Sequence, residues 1–339
     1  MRPVSIAGVA ATKPTQGLTD DVALLVSRVT ASALADAGLG RDEVAFTCSG
    51  SGDYIQGRPF SFVQALDGVG AWPPICESHV EMDGAWALQE AWVHMQTGHV
   101  DVALVYAWGH GTRGDAEAVL ALTHDPYTLA PLGIGPTDMA ALQARVLLER
   151  GLCAREDLAA IAARDQAAVR GEAPSVQALM ARPLTRDPLH AHDIPTWADG
   201  AAAVVLVAGD ALADRPHRHA WIRHLDHRID THHPGHRDLS LAPSASAARG
   251  SSGPVDVAEL STGWTPQEVV LRKALGLDDG VRINPSGGPR SASIPMVDGL
   301  RAFVHATRSL RAGTADRALA HATAGPCLQQ NLVAVLEGS

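Results

Sequence analysis

The sequence has few cysteines, few aromatic residues and fewer basic than acidic side chains. Its four cysteines, Cys48, Cys76, Cys153 and Cys327, lie far apart and form no CxxC pair, so they predict neither a disulfide framework nor a zinc site. The 27 Lys and Arg residues are outnumbered by 37 Asp and Glu residues, which gives a formal charge of −10. This charge argues against nucleic acid as a partner, because phosphate binding requires a basic surface.

Long apolar runs are also absent from the sequence. No run reaches the roughly 18 residues that a membrane-spanning helix needs, and the N-terminal residues MRPVSIAGVAATKP lack the order of regions of a signal peptide. An apolar content of 46% and a charged content of 19% are those of an ordinary globular protein. We therefore expect a cytoplasmic protein with reduced thiols, no membrane span, and either one large core or two medium-sized ones.

What the sequence does contain is a regular alternation of apolar runs and helical patterns. Val4 to Val9 predicts a strand, Asp21 to Gly38 a helix, and Val44 to Cys48 a second strand. A strand–helix–strand order implies a right-handed crossover between parallel strands. The predicted fold class is therefore α/β.

The order of elements also predicts two halves. Between about residues 110 and 195 the alternation is interrupted by turns and helices, which indicates a cap inserted over the sheet. The closing apolar run from Gln330 to Glu337 repeats the position of Ala201 to Ala208 in the order of elements, although not in residue identity. We predict an N-terminal half, 1–212, that includes the cap, and a C-terminal half, 213–339.

The most informative stretch runs from Cys76 to Gly109. It predicts a helix that starts near Gly84 and a buried strand that follows it. One apolar helix face is marked by residues at three-and-four spacing, which are Ala85, Leu88, Ala91, Trp92 and Met95. Glu81 and Asp83 lie at the helix start, where carboxylates interact favourably with the helix dipole. Helix capping is therefore the alternative to a functional role for both.

This stretch resembles the nucleophile segment of thiolases, particularly those of the sterol-carrier-protein-x type. In that family a cysteine opens the central helix in a Cys-x-x-Gly-x-x-Ala-Leu pattern. Gly84, Ala87 and Leu88 match the pattern, and Glu81 takes the place of the cysteine. The likeness extends over most of the chain, through the segments ADGAAAVVL, NPSGG and GPCLQQNLVAVL, and is strongest to actinobacterial lipid-transfer proteins of sterol side-chain breakdown. It implies a thiolase fold, five-layered αβαβα and built from two related halves.

The catalytic residues of thiolases do not carry over. The place of the family's His-Asp-x-Phe motif reads Ser261-Thr-Gly-Trp264, and the place of its Gly-His-Pro motif reads Ser293-Ile-Pro295. Of the catalytic set, only the C-terminal cysteine is present, as Cys327. Thiolysis is thereby excluded, because acyl transfer requires a thiolate that holds the acyl group and a histidine that activates it.

A carboxylate and a thiol that face a CoA thioester could instead move protons. Aldol lyases of steroid side-chain breakdown, which belong to the same family, use proton transfer for a retro-aldol cleavage of a β-hydroxyacyl-CoA to a ketone and a short acyl-CoA. The resemblance implies this reaction here, with Glu81, Cys327 and His110 as candidate bases and Asp83 as a residue that orients or caps. The family's aldol lyases rely on tyrosines of the second half, whereas the three tyrosines of this chain lie in its first half.

Two other functions stay open from the sequence. The chain could be a non-catalytic subunit that pairs with an active thiolase-like partner, or a ketosynthase-like biosynthetic enzyme with another nucleophile. An enzyme should bring Glu81 and Cys327 to one cavity at the carboxyl ends of strands. In a scaffold protein that cavity could be filled by Trp86 or Trp264.

The resemblance further implies substrate contacts and partners. Candidate substrate-binding residues lie at the replaced catalytic positions, in the NPSGG loop and in the irregular apolar segment after Asp53; they are Ser261, Trp264, Asn284, Gly287, Gly288 and Tyr54. We expect an acyl-CoA substrate, no cofactor apart from the CoA of the substrate, a homodimer and a small zinc-ribbon/OB-fold partner protein. The histidine-rich residues 215–238 lack the spacing of zinc motifs, so we expect a strand and a loop with a mildly basic surface there, and no metal.

Overall fold

The computed structural model describes residues 1–70, 76–211 and 219–339. The strands are β1 Val4–Ala11, β2 Phe46–Gly50, β3 Glu77–Val80, β4 Val102–His110, β5 Leu184–Arg186, β6 Leu189–His190, β7 Asp199–Ala208, β8 Ala220–Ile229, β9 Val257–Leu260, β10 Arg282–Ile283, β11 Arg317–Ala324 and β12 Gln330–Gly338. The α-helices are α1 Val22–Ala37, α2 Asp53–Gln56, α3 Val63–Val69, α4 Gly84–Gln96, α5 Ala116–Ala121, α6 Pro136–Glu149, α7 Arg155–Arg170, α8 Val176–Met180, α9 Pro243–Arg249, α10 Thr265–Ala274 and α11 Asp298–Arg311.

Ten of these strands form one continuous sheet, which consists of two five-stranded parts with the same topology. The first part has the order β3-β2-β4-β7-β1 and the second has the order β10-β9-β11-β12-β8. In each part the first three strands are parallel, and the fourth strand runs antiparallel to its neighbours on both sides. The two parts are thus related, as the predicted fold requires. The predicted boundary near residue 212 lies outside the described residues.

The two parts meet edge to edge through β1 and β8. These strands pair antiparallel, with Ser5 opposite Trp221 and Ile6 opposite Ala220. Arg311, at the end of α11, donates to the carbonyls of Ile6 and Ala7 beside this junction. The junction therefore ties a helix of the second half to the first strand of the chain.

Helices cover both faces of the two five-stranded parts and give five layers. Helices α1 and α3 pack on the outer face of the first part, α4 and α11 lie between the two parts, and α9 and α10 cover the second part. The alternation along β4 fits this arrangement, because Ala103, Val105 and Ala107 face the central layer while Tyr106 and Trp108 face α1. This is the predicted αβαβα order.

Helix α4 starts in close contact with its neighbours because residue 84 is glycine. A Cβ atom there would lie 2.6 Å from the Cβ of Ala107 and 2.9 Å from a methyl group of Leu300. The glycine that matched the thiolase pattern therefore lets the two central helices and β4 approach one another. The approach brings the N-terminal ends of α4 and α11 together.

The inserted cap, which carries α5 to α8, is fastened to the second half by buried charges. Arg164 of α7 donates to both carboxylate oxygens of Glu268 on α10, at 2.6 and 2.7 Å. Arg290 donates to Asp165 at 2.6 Å and to the carbonyl of Gly263 at 2.8 Å. Glu268, Asp165 and Arg290 are almost completely buried. Buried charges of this kind are tolerated only when each is paired.

None of the helices in the described residues has both the length and the apolarity that a membrane crossing requires.

Candidate active site

A cavity of about 690 Å³ opens at the carboxyl ends of the parallel strands, beside the N-terminal ends of α4 and α11. It is walled by segments from both halves and from the cap, mainly residues 81–83, 120–139, 261–267, 293–298 and 323–330. Crevices at this edge of an open α/β sheet are the usual place for ligands. Two of its walls belong to loops that follow strands β3 and β9.

Asp83 joins the two central helices at the floor of this cavity. Its carboxylate caps α4 by accepting from the N–H of Ala85 at 2.8 Å. It also accepts from the N–H groups of Gly299 and Leu300, in the first turn of α11, at 2.9 and 3.0 Å. Burial raises the pKa of Asp83 to about 6, against the opposite effect of these hydrogen bonds. The geometry is that of a double helix cap, one of the two roles that the sequence left open.

Glu81 lies at the rim of the cavity, with its side chain 50% exposed. One carboxylate oxygen accepts a hydrogen bond from the backbone N–H of Asp53, at the start of α2. The other lies 3.3 Å from Nε2 of His79. A carboxylate has about four lone-pair positions. Two positions therefore stay available to a ligand, while the carboxylate plane is fixed.

Cys327 also lines the cavity and is held as a thiol. Its residue adopts a left-handed conformation, with φ of 54°, and is only 2% exposed. The thiol donates to the carbonyl of Met139 at 3.5 Å. Burial raises the pKa of Cys327 to about 12, although the nearby Arg237 acts in the other direction. At neutral pH the sulfur stays protonated, which disfavours the expected role as a base and leaves that of a proton donor.

His110 does not line this cavity. It shares the outer face of β4 with Tyr106 and Trp108, and the cavity lies on the other side of the sheet. Its Nδ1 is 3.1 Å from Oε1 of Gln56. Burial and the positive charge of Arg113 lower the pKa of His110 to about 4. The structure therefore separates His110 from the other three candidate catalytic residues.

Two of the six expected substrate-binding residues line the cavity. Ser261 accepts from the N–H of Thr323 at 3.1 Å, and the indole N–H of Trp264 donates to the hydroxyl of Thr137 at 3.2 Å. Trp264 therefore forms part of a wall and does not fill the space. Trp86 is buried and stands edge-on to His227, away from the residues that line the cavity. The cavity stays open, as expected for an enzyme.

The other four expected substrate-binding residues lie away from the cavity. Asn284 is buried and accepts from the N–H of Leu260 at 2.7 Å, so it orders the loop after β10. Gly287 has a φ of 90°, and a Cβ atom there would lie 2.3 Å from the side chain of Val169. Gly288 adjoins it, and Tyr54 is 60% exposed on α2. Asn284 thus orders the loop within the second half, and Gly287 lets that loop pack closely against the cap.

The sequence reading missed His124 and His232, which both line the cavity. His124 is buried, and within the described residues its Nδ1 has no hydrogen-bond partner. Burial lowers the pKa of His124, while a hydrogen bond with the backbone of Ile134 acts in the opposite direction. His232 stands 3.9 Å from the carboxylate of Asp125. The nearest signal in the sequence is the His-Asp-Pro-Tyr segment at 124–127 of the cap.

No metal site is found at this cavity or elsewhere in the described ranges. There, no group of three or more His, Cys, Asp or Glu side chains is arranged to hold an ion. His217, one of the residues in the histidine-rich stretch, lies outside the described residues. The surrounding histidines extend from β8 into the loop that follows it.

Comparison with solved structures shows the thiolase fold. The structure described as "Ltp2-ChsH2(DUF35) aldolase" matches with a TM-score of 0.80 and 20% identity, over 99% of this chain and 97% of that chain. Human mitochondrial 3-ketoacyl-CoA thiolase matches with a TM-score of 0.79 and 16% identity, over 100% of this chain and 99% of that one. Its complex with CoA matches equally well, with 98% of that chain covered.

By sequence, no family model matches this chain, and no curated protein does so either. The fold expected from the resemblance is confirmed by the structures alone. The chain has the fold of thiolases. In this protein one cavity is lined by the acidic residue Glu81, the protonated thiol of Cys327 and the buried imidazole of His124.

Proposed function

We propose that the protein is a CoA-thioester aldol lyase, which cleaves a β-hydroxyacyl-CoA into a ketone and a shorter acyl-CoA. The observation that carries this proposal is the composition of the open cavity. Glu81 stands where thiolases have their nucleophile, and the one cysteine that lines the cavity is held protonated. These groups can transfer protons but cannot hold an acyl group, because a mixed anhydride on a carboxylate would hydrolyse.

In the proposed reaction Glu81 is the base. Its carboxylate accepts the proton of the β-hydroxyl group, and the oxygen electrons form the ketone carbonyl as the bond between Cα and Cβ breaks. The electron pair of that bond becomes the thioester enolate. Glu81 is suited to this role because it lies at the rim of the cavity and because Asp53 and His79 leave two lone-pair positions of its carboxylate unused.

Cys327 is the proposed acid that completes the reaction. A thiol is a much stronger acid than the α-carbon of a thioester, so even with a pKa of about 12 it can protonate the enolate. Proton exchange with solvent then restores the thiol and the Glu81 carboxylate. Asp83 is assigned no proton transfer, because its oxygens are occupied by the first turns of α4 and α11.

His124 is a second candidate base. It is buried and its pKa is lowered, so the imidazole is neutral at pH 7 and its Nδ1 can accept a proton. Glu81 is preferred because it stands at the amino end of α4, the place of the reactive group in the fold that the chain resembles. We expect His124→Gln to reduce the turnover number less than Glu81→Gln does.

The substrate and the assembly are part of the same proposal. One of the similar solved structures is an aldolase whose name carries two components. By analogy we propose a substrate with a steroid side chain, a homodimer, a zinc-ribbon/OB-fold partner protein and a cytoplasmic location. What supports a CoA thioester is the likeness to a thiolase whose structure was solved in complex with CoA.

The test is a cleavage assay with a steroid β-hydroxyacyl-CoA that carries a tertiary alcohol. The protein would be assayed alone and together with the zinc-ribbon/OB-fold protein encoded nearest to it, and both products would be followed by chromatography coupled to mass spectrometry. We expect equal amounts of ketone and short acyl-CoA. If the folded protein, with or without that partner, releases neither product, the lyase is ruled out and the non-catalytic subunit becomes the better account.

A further inference from the structure

A chain of hydrogen bonds runs from the interior of the first sheet to Glu81. Ser49 of β2 and His79 of β3 lie opposite each other in a parallel strand pair. The hydroxyl of Ser49 is 3.0 Å from Nδ1 of His79, and Nε2 of His79 is 3.3 Å from the Glu81 carboxylate. The register of the sheet therefore places an imidazole directly behind the proposed base.

The Glu81 end of the chain sets the direction of these hydrogen bonds. A carboxylate only accepts, so Nε2 of His79 donates to Glu81. In the neutral imidazole Nδ1 is then the acceptor, and Ser49 donates its hydroxyl proton to it.

The ring of His79 has little freedom to turn. It stacks on the ring of Phe62 with centroids 4.6 Å apart and an angle of 17° between the planes, and its side chain is only 16% exposed. The charged groups that act on His79 are the carboxylates of Glu81 and Asp53. Asp53 is itself engaged by the N–H groups of residues 60 and 61.

The order serine, histidine, glutamate is also that of a hydrolytic triad, but the geometry does not support a nucleophilic serine. Ser49 is 2% exposed and lies within β2, and it is not among the residues that line the cavity. The one member of the hydrogen-bonded chain that lines the cavity is Glu81. The hydrogen-bonded chain therefore orients the base, and it does not activate a serine nucleophile.

We propose that His79 is a positioning residue for Glu81, held in its Nε2–H tautomer by Ser49. This inference rests on the proposed lyase function, in which Glu81 is the base. His79 and the N–H of Asp53 each engage one carboxylate oxygen, which fixes the plane of the carboxylate and the direction of its remaining lone pairs. Loss of such orientation is costly, since a displacement of about 1 Å can reduce a rate by about 100-fold.

The kinetic test compares two replacements of His79. His79→Phe keeps the stacking on Phe62 and removes both nitrogens, whereas His79→Gln keeps an N–H donor in reach of Glu81. We expect His79→Phe to lower kcat for β-hydroxyacyl-CoA cleavage by about 10- to 100-fold, with KM changed less than about threefold. We expect His79→Gln to restore at least part of the loss.

The protein offers a matched control in His94 of α4. This histidine also stacks on a phenylalanine, Phe46, at 4.4 Å, and also lies beside a glutamate, Glu90, at 3.4 Å, but not at the cavity. His94→Phe should leave kcat unchanged. If His79→Phe keeps the wild-type kcat, or if His79→Gln is as impaired as His79→Phe, His79 is not a positioning residue.

A spectroscopic test does not depend on activity. In the ¹⁵N spectrum of histidine side chains, His79 should show the Nε2–H tautomer, and its signals should change in Ser49→Ala and in Glu81→Gln but not in Glu90→Gln. The Nδ1–H tautomer, or signals indifferent to both variants, would overturn the inference. If the wild-type protein cleaves no substrate while His79 behaves as expected, the proposed function fails and the hydrogen-bonded chain stands without a catalytic role.

Discussion

The carboxylate of Asp83 accepts a hydrogen bond from the N–H of Gly299 at 2.9 Å, across a sequence distance of 216 residues. This contact joins the amino end of the first central helix to that of the second. The cavity of the proposed lyase opens beside this junction. The position of Glu81, two residues earlier, therefore depends on how well the two halves are held together.

Replacement of Asp83 should destabilise the fold more than the loss of an ordinary helix cap does. Asp83→Ala removes the acceptor for three N–H groups, so we expect the free energy of unfolding to fall by about 2–4 kcal/mol. The control is Asp21→Ala, which removes the cap of α1 and a single bond, to Ala23, at a cost of about 1 kcal/mol. Urea denaturation would compare the two. Equal losses would contradict the role of Asp83 as a double cap.

The buried charges between the cap and the second half should behave as an interdependent set. Arg290→Met leaves Asp165 without one of its two cationic partners, so we expect a loss of about 3–5 kcal/mol in the free energy of unfolding. The double variant Arg290→Met, Asp165→Leu removes both charges and should recover part of that loss. If the double variant is no more stable than Arg290→Met, the two charges are not coupled.

Stability should fall in acid through buried histidines. His321 is completely buried, and burial lowers its pKa from 6.5 to about 4 in the folded protein, while its bond to Asn331 acts in the opposite direction. The unfolded chain therefore binds the proton first, so its contribution is complete above pH 6.5 and is lost as the pH falls towards 4, by up to about 3 kcal/mol. His321→Gln should flatten the dependence of unfolding free energy on pH in this range.

The control for that experiment is His99→Gln, since His99 is exposed after α4. It should leave the slope between pH 6.5 and 4 unchanged. If the His321 variant keeps the full wild-type slope, the loss of stability in acid arises from other groups.

The cysteines should differ sharply in their reactivity. Cys327 is buried with a pKa of about 12, so almost none of it is thiolate at pH 8. Cys76 is exposed. We expect iodoacetamide to modify Cys76 in the native protein at pH 8 and to leave Cys327 unmodified until the protein is unfolded, as measured by peptide mass spectrometry. Rapid modification of native Cys327 would contradict its assignment as a protonated acid.

Much of the fold could be predicted from local patterns. Apolar runs predicted strands β1, β2 and β4, helix spacing predicted α1 and α4, and the Glu81-x-x-Gly84 segment indicated where the cavity would lie. The alternation along β4 also contained the information that His110 shares a face with Trp108, but that spacing was not applied to it.

The remaining site residues could not be predicted from sequence spacing. His124 reaches the cavity because the cap folds back over both halves, and no periodicity reports such a return. The protonation state of Cys327 depends on burial beside Met139, a residue 188 positions away. Asn284 and Gly287 looked like ligand contacts because tight glycine loops often bind ligands, whereas here the loop packs against α7.

The most direct test of the account is the kcat/KM of Glu81→Gln for cleavage of a steroid β-hydroxyacyl-CoA. Glutamine keeps the size of the side chain and removes the base, so we expect a loss of at least about 100-fold with an unchanged melting temperature. Glu90→Gln is the same substitution within α4, away from the cavity, and should retain full activity. A Glu81→Gln enzyme that cleaves the substrate at the wild-type rate would contradict the assignment of Glu81 as the base.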